Sequence, residues 1–219
     1  MRTSSQKSTA LKSSALKSSV LAAPVEAREP KRERGKLRVA ALMDAGAAVI
    51  AERGYGAATM TEIAARAGAS IGSLYQFFPS KEVLAEALLK RYGERMASAL
   101  DAVVARADGA SPQAISEGLI SVMTDLKADR AAALVLLDAR DESKTARQKL
   151  REIMLSRIER VLVLAAPRLA AGKAQTMSVM LLYMLKAIPP LLAENGAKAA
   201  QLRDEARDAM QLYIGNGIG

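Results

Sequence analysis

Apolar residues recur at intervals of three and four along most of this chain from Lys36 onward, and Gly, Pro and Ser separate the periodic segments. This spacing marks one face of an α-helix, and it is the strongest constraint on the fold. The most regular stripe is Leu150, Ile153, Met154, Ile158, Val161, Leu162 and Ala165. Because there is no Trp and only 3% of the residues are aromatic, the core has to be built from Ala, Leu, Val, Ile and the 10 Met residues, which favours helices. The sequence therefore predicts an all-α fold.

The 219 residues include no Cys and no His. A disulfide, a thiolate nucleophile, an imidazole base and a Cys/His metal site are therefore excluded, and we expect no metal and no cofactor. The longest uninterrupted apolar stretches, at 131–137 and 179–185, have seven residues each, whereas a membrane-spanning helix needs about 20. We therefore expect a soluble, cytoplasmic protein with no membrane partner.

Residues 1–35 are predicted to form a disordered basic tail. Residues 1–24 contain seven Ser and no acidic residue, and the pentapeptide Ala-Leu-Lys-Ser-Ser occurs twice in tandem. Eight basic and three acidic residues within 1–35 supply five of the nine net positive charges. This composition is typical of a disordered or engineered extension, and it also fits a transit peptide or a basic arm on DNA, with Arg32, Arg34 and Lys36 next to the folded part. A secretory signal is excluded because a continuous apolar region is missing.

Two short helices around a tight turn are predicted between residues 59 and 79. The capping box Thr59-Met60-Thr61-Glu62 starts the first helix, Gly68 supplies the turn, and Ser70 caps the second helix. Pro79-Ser80 ends the second helix, and Ser80 caps a new long helix that starts at Lys81. This arrangement is a helix-turn-helix, whose second helix can enter the major groove of DNA, although the same pattern also occurs as a plain corner of a helical core.

The second short helix has the chemistry of a DNA-reading element. Residues 70–73, Ser-Ile-Gly-Ser, are small, so the start of the helix can approach base edges closely, and the helix dipole there favours phosphate. Tyr75 and Lys81 add a phenol and an ammonium at spacings suited to flanking phosphates. The net charge of +9 also indicates a polyanionic partner.

The run Gly-Tyr-Gly-Ala-Ala-Thr-Met-Thr-Glu-Ile-Ala-Ala-Arg-Ala-Gly-Ala-Ser-Ile-Gly-Ser-Leu-Tyr-Gln-Phe-Phe-Pro-Ser-Lys-Glu at 54–82 closely resembles the N-terminal DNA-binding domain of TetR-family transcriptional regulators. An Ala-rich first helix of about sixteen residues, which stops at Gly54, precedes this run, so the resemblance covers residues 36–88. The motif is specific because Gly-Tyr, Thr, Ile-Ala, Ala-Gly, Ser, Leu-Tyr, Phe and Ser-Lys-Glu stand at fixed offsets. Beyond residue 88 only the helical layout and the size agree.

The resemblance implies a role for each matching residue. The residues that would read base edges are Ile71, Gly72 and Ser73. Thr61, near the start of the preceding helix, would also lie close to a base or a phosphate. The residues that would hold phosphates are Thr59, Ser70, Tyr75 and Lys81. The residues that would form the three-helix core, without contacting DNA, are Ile63, Ala64, Leu74 and Phe78.

Two departures from the family pattern affect these expectations. Val49 and Ile50 stand where the family usually has a bulky Phe or Leu, and the base-facing stretch lacks Arg, Lys, Asn and Gln. Specificity then depends on the Ile71 side chain, the Ser73 hydroxyl and, unless it only faces solvent, Gln76. We therefore expect apolar contact with thymine methyl groups, supplemented by DNA shape.

The C-terminal part is predicted to be a helical effector-binding and dimerisation domain. A long helix at about 81–107 links it to the DNA-binding domain, a helix restarts at 111–112 with cap and proline, and a charged connector follows Leu137. The apolar face of the long helix is Leu84, Leu88, Tyr92, Met96, Leu100 and Val103. We expect the charged connector 138–143 to be a solvated link rather than a ligand clamp. Pro189-Pro190 should kink or restart the next-to-last helix near Ile188.

The resemblance also implies a homodimer and a small-molecule effector. In proteins similar to this one, the last two long helices of each subunit pair into a four-helix bundle, and the helices between about 111 and 190 enclose the effector. Candidate lining residues, favoured because Met adapts to irregular apolar ligands, are Met123, Leu126, Leu137, Met154, Ile158, Met177, Met180, Tyr183 and Met184. Each of them is also what an ordinary helical core contains. We expect an apolar or fatty-acyl-like effector.

The sequence thus divides into a tail (1–35), a helix-turn-helix domain (36–80), a helical ligand-binding and dimerisation domain (81–214) and a flexible C-terminus (215–219). The expected function is that of a cytoplasmic, nucleoid-associated bacterial repressor, a homodimer that binds a palindromic operator in double-stranded DNA and is released by a small apolar effector. The alternative is a DNA-binding activator or nucleoid-associated factor without an effector. An enzyme using Asp, Glu and Lys is disfavoured because paired carboxylates at ligand spacing are absent.

Overall fold

The computed structural model describes residues 33–139 and 143–218, and the regular elements of that part are helices. The N-terminal helices are α1 (Glu33–Ala57), α2 (Met60–Arg66), α3 (Ile71–Phe77) and α4 (Lys81–Val104). The C-terminal helices are α5 (Pro112–Asp125), α6 (Lys127–Ala139), α7 (Ser143–Ala165), α8 (Ala171–Glu194) and α9 (Ala199–Ile218), with a 3₁₀ turn, Gly196–Lys198, before the last. The predicted all-α fold is confirmed. The predicted tail up to residue 32 and residues 140–142 of the connector lie outside the described residues.

Helices α1, α2 and α3 form a unit that we call the head. They pack around a core of Leu42, Val49, Ile50, Ile63, Leu74 and Phe78, all fully or almost fully buried. The four side chains predicted to form this core, Ile63, Ala64, Leu74 and Phe78, are buried as expected. Val49 and Ile50, which are smaller than the residues usual in the family, are completely enclosed, so the departure from the family pattern leaves the core intact.

Helix α1 is longer than predicted at both ends. It begins at Glu33, so the last three residues of the predicted tail are helical. At its other end Gly54 has a φ of 80° and a ψ of 159°, which breaks the helix locally before a further turn to Ala57. Only glycine adopts such a φ at low cost, which explains why the helical pattern in the sequence stops at this residue.

Helix α4 belongs both to the head and to the rest of the molecule. Its predicted apolar face is confirmed, since all six side chains from Leu84 to Val103 are buried. The first half of this face, around Leu84 and Leu88, packs in the core of the head, and the second half packs among α5, α7 and α8. The helix ends at Val104, three residues before the predicted end, and Gly109, at a φ of 60°, makes the turn to α5.

The stretch between the predicted helix start at 111–112 and the charged connector contains two helices, α5 and α6. They meet at Leu126, whose φ of −93° and ψ of 18° leave the helical range. The break allows α6 to turn onto α1, where Ala132 and Leu136 are buried in the core of the head. Neither Gly nor Pro stands at 126, so the sequence carries no local signal for the break. We call α5 to α9 the body, with α6 as its contact with the head.

Helices α7, α8 and α9 complete the body. The predicted stripe of α7 is confirmed, since Met154, Ile158, Val161 and Leu162 are buried against α4 and α8. Helix α9 continues to Ile218, so residues 215–218, predicted to be flexible, are helical. The glycines there allow close contact: a Cβ on Gly217 would lie 2.2 Å from Met177 Cε, and one on Gly215 would lie 3.7 Å from Pro112.

Helix α8 runs from Ala171 to Glu194 with both prolines inside it, so the predicted restart near Ile188 does not occur. Leu181, Leu185 and Ile188 are buried in the body, and this packing continues through the prolines to Leu192. Tertiary contact therefore outweighs the two missing backbone hydrogen bonds. Among the described residues, α8 is also long and apolar enough to cross a membrane, and one third of its most apolar window is buried in the protein.

Candidate DNA-binding interface

The start of α3 presents a mixed apolar and polar surface to solvent. Ile71 and Tyr75 are 40% and 48% exposed, and Gly72 and Gln76 beside them are also exposed. Leu74, on the opposite face, is completely buried and fixes the helix on the head. The alternation of exposed and buried residues therefore orients the predicted base-reading residues away from the core, with Ser73 half-buried at the edge.

Two hydroxyl caps fix the short helices of the head. Thr59 Oγ1 accepts a hydrogen bond from the Glu62 backbone N–H at 3.2 Å, and Ser70 Oγ accepts one from the Ser73 N–H at 3.2 Å. Both caps were predicted from the sequence and are confirmed. The second half of the capping box is different, because the Glu62 carboxylate forms an ion pair with Arg53, at 3.4 Å, across to α1. Thr61, the other candidate contact, is exposed in the first turn of α2.

Lys81 does not present a free ammonium to solvent, in contrast to the predicted phosphate contact. Its Nζ donates to the carbonyl oxygens of Tyr55, Gly56 and Ala58, at 2.9, 3.2 and 3.1 Å. It also lies 4.7 Å from the centre of the Tyr55 ring. All three donors are thus used to close the end of α1, where carbonyl oxygens lack helical partners. Lys81 therefore fixes the chain between α1 and α2 to the start of α4.

Tyr55 and Glu82 extend this contact. The Tyr55 hydroxyl donates to Glu82 Oε1 at 3.2 Å, and the Ser80 hydroxyl caps α4 by accepting from the Val83 N–H at 3.3 Å. The pKa of the Glu82 carboxyl is lowered, first by a hydrogen bond from its own backbone N–H and then by bonds from Ser80 and Tyr55. Glu82 is therefore ionised at neutral pH and keeps the start of α4 attached to the end of α1.

Arg66 forms a second contact within the head that the sequence did not predict. Its two terminal nitrogens donate to the two carboxylate oxygens of Glu52, each at 2.6 Å. This bidentate pair lowers the pKa of Glu52 chiefly through the hydrogen bond from Arg66. The pair joins α1 to the end of α2, which limits how far the helix-turn-helix can move on α1. A basic residue in the last turn of α2 was the available signal, but its partner is 14 residues away.

The predicted basic arm is only partly described. Arg34 and Lys36 are exposed in the first turn of α1, and Lys36 forms an ion pair with Glu33 at 2.8 Å. Arg32 lies outside the described residues. Two positions of the arm therefore belong to a helix rather than to an extended tail.

The nine predicted effector-pocket residues fall into three groups. Five are buried: Met123, Leu137, Met154, Ile158 and Met177. Leu126 and Met184 are half-buried at the edge of the body core. Met180 and Tyr183 form the third group, because they are exposed on the outer side of α8 and line no interior pocket of the single chain.

A cavity of about 480 Å³ lies between α4 and α5, and none of the nine predicted residues lines it. Its wall is mainly small side chains, with Arg106, Glu117 and Asp125 among the polar residues. The small residues are Ala99, Ala102, Ala107, Ala110, Ala114 and Gly118. Long Met side chains fill space, whereas Ala and Gly leave it open, so small residues on facing helices were the better signal for a cavity.

Four charged side chains join the head to the body, and no local pattern in the sequence indicates them. Arg91 of α4 donates to Asp44 of α1 at 2.7 Å and to Asp129 of α6 at 2.6 Å. Arg95, one turn further along α4, donates to the second oxygen of Asp129 at 2.6 Å. Within residues 33–139 and 143–218, no three acidic side chains converge as ligands for a metal ion.

Comparison with known proteins agrees with this geometry. Residues 42–88 match the model of the family described as bacterial regulatory proteins, tetR family. A stretch of 73 residues is 38% identical to the HTH-type transcriptional repressor KstR of Mycolicibacterium smegmatis. That match covers 33% of this chain and 34% of the repressor, so the chain matches about a third of the repressor's length.

The whole fold is similar to solved structures of low sequence identity. A transcriptional regulator of the TerR/AcrR family from Aquifex aeolicus VF5 has a TM-score of 0.64 at 21% identity, over 80% of this chain and 99% of that chain. The transcriptional regulator FadR from Bacillus subtilis, solved in complex with stearoyl-CoA, has a TM-score of 0.58 at 22% identity, over 78% of this chain and 97% of that chain. The helix-turn-helix head therefore matches the tetR family over residues 42–88, and the chain shares its arrangement of helices with these solved transcriptional regulators.

Proposed function

We propose that this chain is a homodimeric repressor that reads an inverted repeat in double-stranded DNA and is released by a small apolar effector. The observation that carries the proposal is the exposed start of α3. Ile71 and Tyr75 remain in solvent there, on a helix that a serine cap and the buried Leu74 hold in place. An exposed apolar side chain at this position is suited to contact thymine methyl groups in the major groove.

Hydroxyl groups around α3 would hold the phosphates. The oxygens of Thr59 and Ser70 accept backbone hydrogen bonds, so their hydroxyl protons can be donated outward. The Tyr75 phenol is exposed on the same helix, and Thr61 is exposed at the start of α2. In this proposal Lys81 supports the head from within and does not contact DNA. Binding of an operator places the protein in the cytoplasm, at the nucleoid.

An apolar strip on α8 and α9 supports the proposed dimer. Val179, Met180 and Tyr183 are exposed on one side of α8, while Leu181 and Leu185 on the other side are fully buried. On α9, Leu212 is also largely exposed. Apolar patches of this kind mark interaction surfaces. Pairing the two helices with those of a second copy would bury the strip and place two heads on a two-fold axis.

The cavity between α4 and α5 is our candidate for the effector site. Its volume of about 480 Å³ falls in the usual range for small-molecule sites. A ligand there would contact α4, which begins in the head, and a preference of about 1–3 kcal/mol for one orientation of α4 is enough for regulation. The FadR structure, with a similar fold, was solved with stearoyl-CoA, which supports an apolar, acyl-bearing effector for this shape of body.

Selection from a random DNA library tests the first part of the proposal. Full-length protein is incubated with randomised duplexes at about 150 mM salt, where non-specific attraction is partly screened, and the retained duplexes are sequenced. Enrichment of an inverted repeat supports a sequence-specific dimer. Binding that persists only at low salt, with no enriched sequence, would favour a nucleoid-associated factor without a defined operator.

Filling the cavity tests the second part. Ala102 lines the cavity, so Ala102→Leu should leave operator affinity in place and reduce the release caused by stearoyl-CoA about tenfold. Ala105, exposed on the same helix end, does not line the cavity, and Ala105→Leu is the matched control. Release is measured by fluorescence anisotropy of labelled operator. Equal release in both variants would place the effector elsewhere, and no release of the unaltered protein would exclude stearoyl-CoA as an effector.

A further inference from the structure

Asp129 is a carboxylate held almost out of contact with solvent, with 8% of its side chain exposed. Arg91 Nη2 donates to Oδ1 and Arg95 Nη1 donates to Oδ2, both at 2.6 Å. Each oxygen therefore has its own guanidinium, as a buried carboxylate requires. Since both arginines belong to α4 and Asp129 lies in the first turn of α6, the pairs fix the start of α6 against α4.

Arg91 also reaches the head. Its Nη1 donates to Asp44 Oδ1 on α1 at 2.7 Å, and only 13% of the side chain is exposed. The two terminal nitrogens of one guanidinium thus hold two helices, one from the head and one from the body. We call Asp44, Arg91, Arg95 and Asp129 the charge clamp. Its two positive and two negative charges cancel, so the clamp contributes no net attraction for phosphates.

The charge clamp lies beside an apolar contact between α6 and the head. This apolar contact does not by itself fix the angle between head and body. Ala132 and Leu136 of α6 are buried in the core of the head. Apolar contact is not directional and tolerates small rotations, whereas hydrogen bonds to a guanidinium weaken steeply when the angle changes. The clamp is therefore the directional part of the contact between head and body.

We propose that Arg91 and Asp129 are positioning residues that set the spacing of operator half-sites accepted by the dimer. The inference rests on the proposed function, because only in a dimer does the angle of each head become a distance between two α3 helices. The two helices have to enter major grooves that are separated by whole turns of DNA, about 34 Å each. A head that rotates on its body accepts several spacings, whereas a clamped head accepts one.

Half-site spacing is the readout that a merely stabilising role would not change. Full-length wild type, Asp129→Asn and Arg91→Met are titrated against inverted repeats with identical half-sites and spacers that differ by one base pair. The wild type should prefer one spacing, and in both variants the preference over the next spacing should fall about tenfold. The control is Arg157→Gln, which breaks the ion pair of Arg157 Nε on α7 with Asp101 on the second half of α4, at 2.8 Å, and no residue of α1 to α3 takes part in this pair. Clamp variants that keep the wild-type spacing profile would overturn the proposal.

Distance measurements test the clamp without DNA. Because the chain has no Cys, Ala57→Cys on α1 and Ala131→Cys on α6 provide two unique sites for nitroxide labels, with unlabelled protein added to isolate distances within one chain. Asp129→Asn should broaden the distance distribution, and an unchanged width would contradict the clamp. If Asp129→Asn does not fold, Asp44→Asn replaces it, since 65% of the Asp44 side chain is exposed. A wild type that selects no inverted repeat refutes the proposed function, while the label distances still decide on the clamp.

Discussion

Lys81 is a single side chain on which the local structure of the head depends. Its ammonium donates hydrogen bonds to three carbonyl oxygens at and just after the end of α1, and it lies against the Tyr55 ring. Lys81→Ala leaves these carbonyls to water, and we expect a loss of about 1–3 kcal/mol in the free energy of unfolding. Operator affinity should fall with it, because the turn before α2 loses its support.

Salt dependence separates this role from a phosphate contact. Because the ammonium is directed inward, the slope of log affinity against log salt should be the same in Lys81→Ala as in the wild type. Lys90→Ala, which removes an exposed charge further along α4, is the control. A slope that is smaller by about one in Lys81→Ala alone would show that Lys81 does hold a phosphate.

Ser73 and Ile71 should affect which sequence is bound rather than how strongly DNA in general is bound. Ile71→Ala removes an apolar contact and Ser73→Ala a hydroxyl, and each should change discrimination at one base position by about 1–3 kcal/mol. The measurement is selection from a random library with each variant. Ser98, which is exposed in the second half of α4, provides the control Ser98→Ala. Identical selected sequences in all variants would remove these residues from base readout.

Contacts between residues that are close in sequence were predictable, and contacts between residues that are far apart in sequence were not. The caps at Thr59, Ser70, Ser80 and Ser111 each bond a backbone N–H three residues ahead, and all four were identified from the sequence. The partners of Lys81 are 23 to 26 residues away, and those of Arg91 are 38 and 47 residues away. No local pattern determines which residues tertiary packing brings to such a side chain.

Helix α8 contains two prolines, Pro189 and Pro190, in its interior, where proline opposes helical geometry. Pro190 cannot donate to the Lys186 carbonyl, and its side chain is exposed, so little packing depends on it. Pro190→Ala should therefore raise the free energy of unfolding by about 1–3 kcal/mol, measured by denaturant titration. Pro112→Ala is the control, because Pro112 stands in the first turn of α5, where a proline is favourable and no gain is expected. A Pro190→Ala protein that is less stable would mean that the proline ring itself contributes essential packing.

The break between α5 and α6 shows what helical periodicity leaves undetermined. The apolar pattern of residues 112–137 is continuous, and Leu126 is itself a good helix former. The chain turns there because Ala132 and Leu136 gain burial in the core of the head. In α8 the opposite happens, and packing keeps two helix breakers inside a continuous helix. In both cases tertiary burial overrides local preference, which a single sequence does not reveal.

For the whole molecule, the apolar strip of α8 and α9 should control assembly. Met180 is 50% exposed, and Met180→Asp would place a charge in the middle of the proposed interface. We expect the dissociation constant of the dimer to rise at least about tenfold, measured by analytical ultracentrifugation, with a parallel loss of operator affinity. Leu134 is similarly exposed on α6, away from this strip, so Leu134→Asp should leave the dimer intact. A Met180→Asp protein that remains dimeric would require another interface.

Helix α6 belongs to the body, but two of its side chains lie in the core of the head, and this has a consequence for protein engineering. Residues 42–88, the segment that matches the family model, do not include Ala132 and Leu136, although both are part of the core around which that segment folds. A chimera that grafts this segment onto a different regulator would leave a gap wherever the recipient's sixth helix has other side chains. Exchanging DNA specificity between regulators of this kind therefore means transplanting two separate stretches of chain, the reading head and the small patch of α6 that completes it.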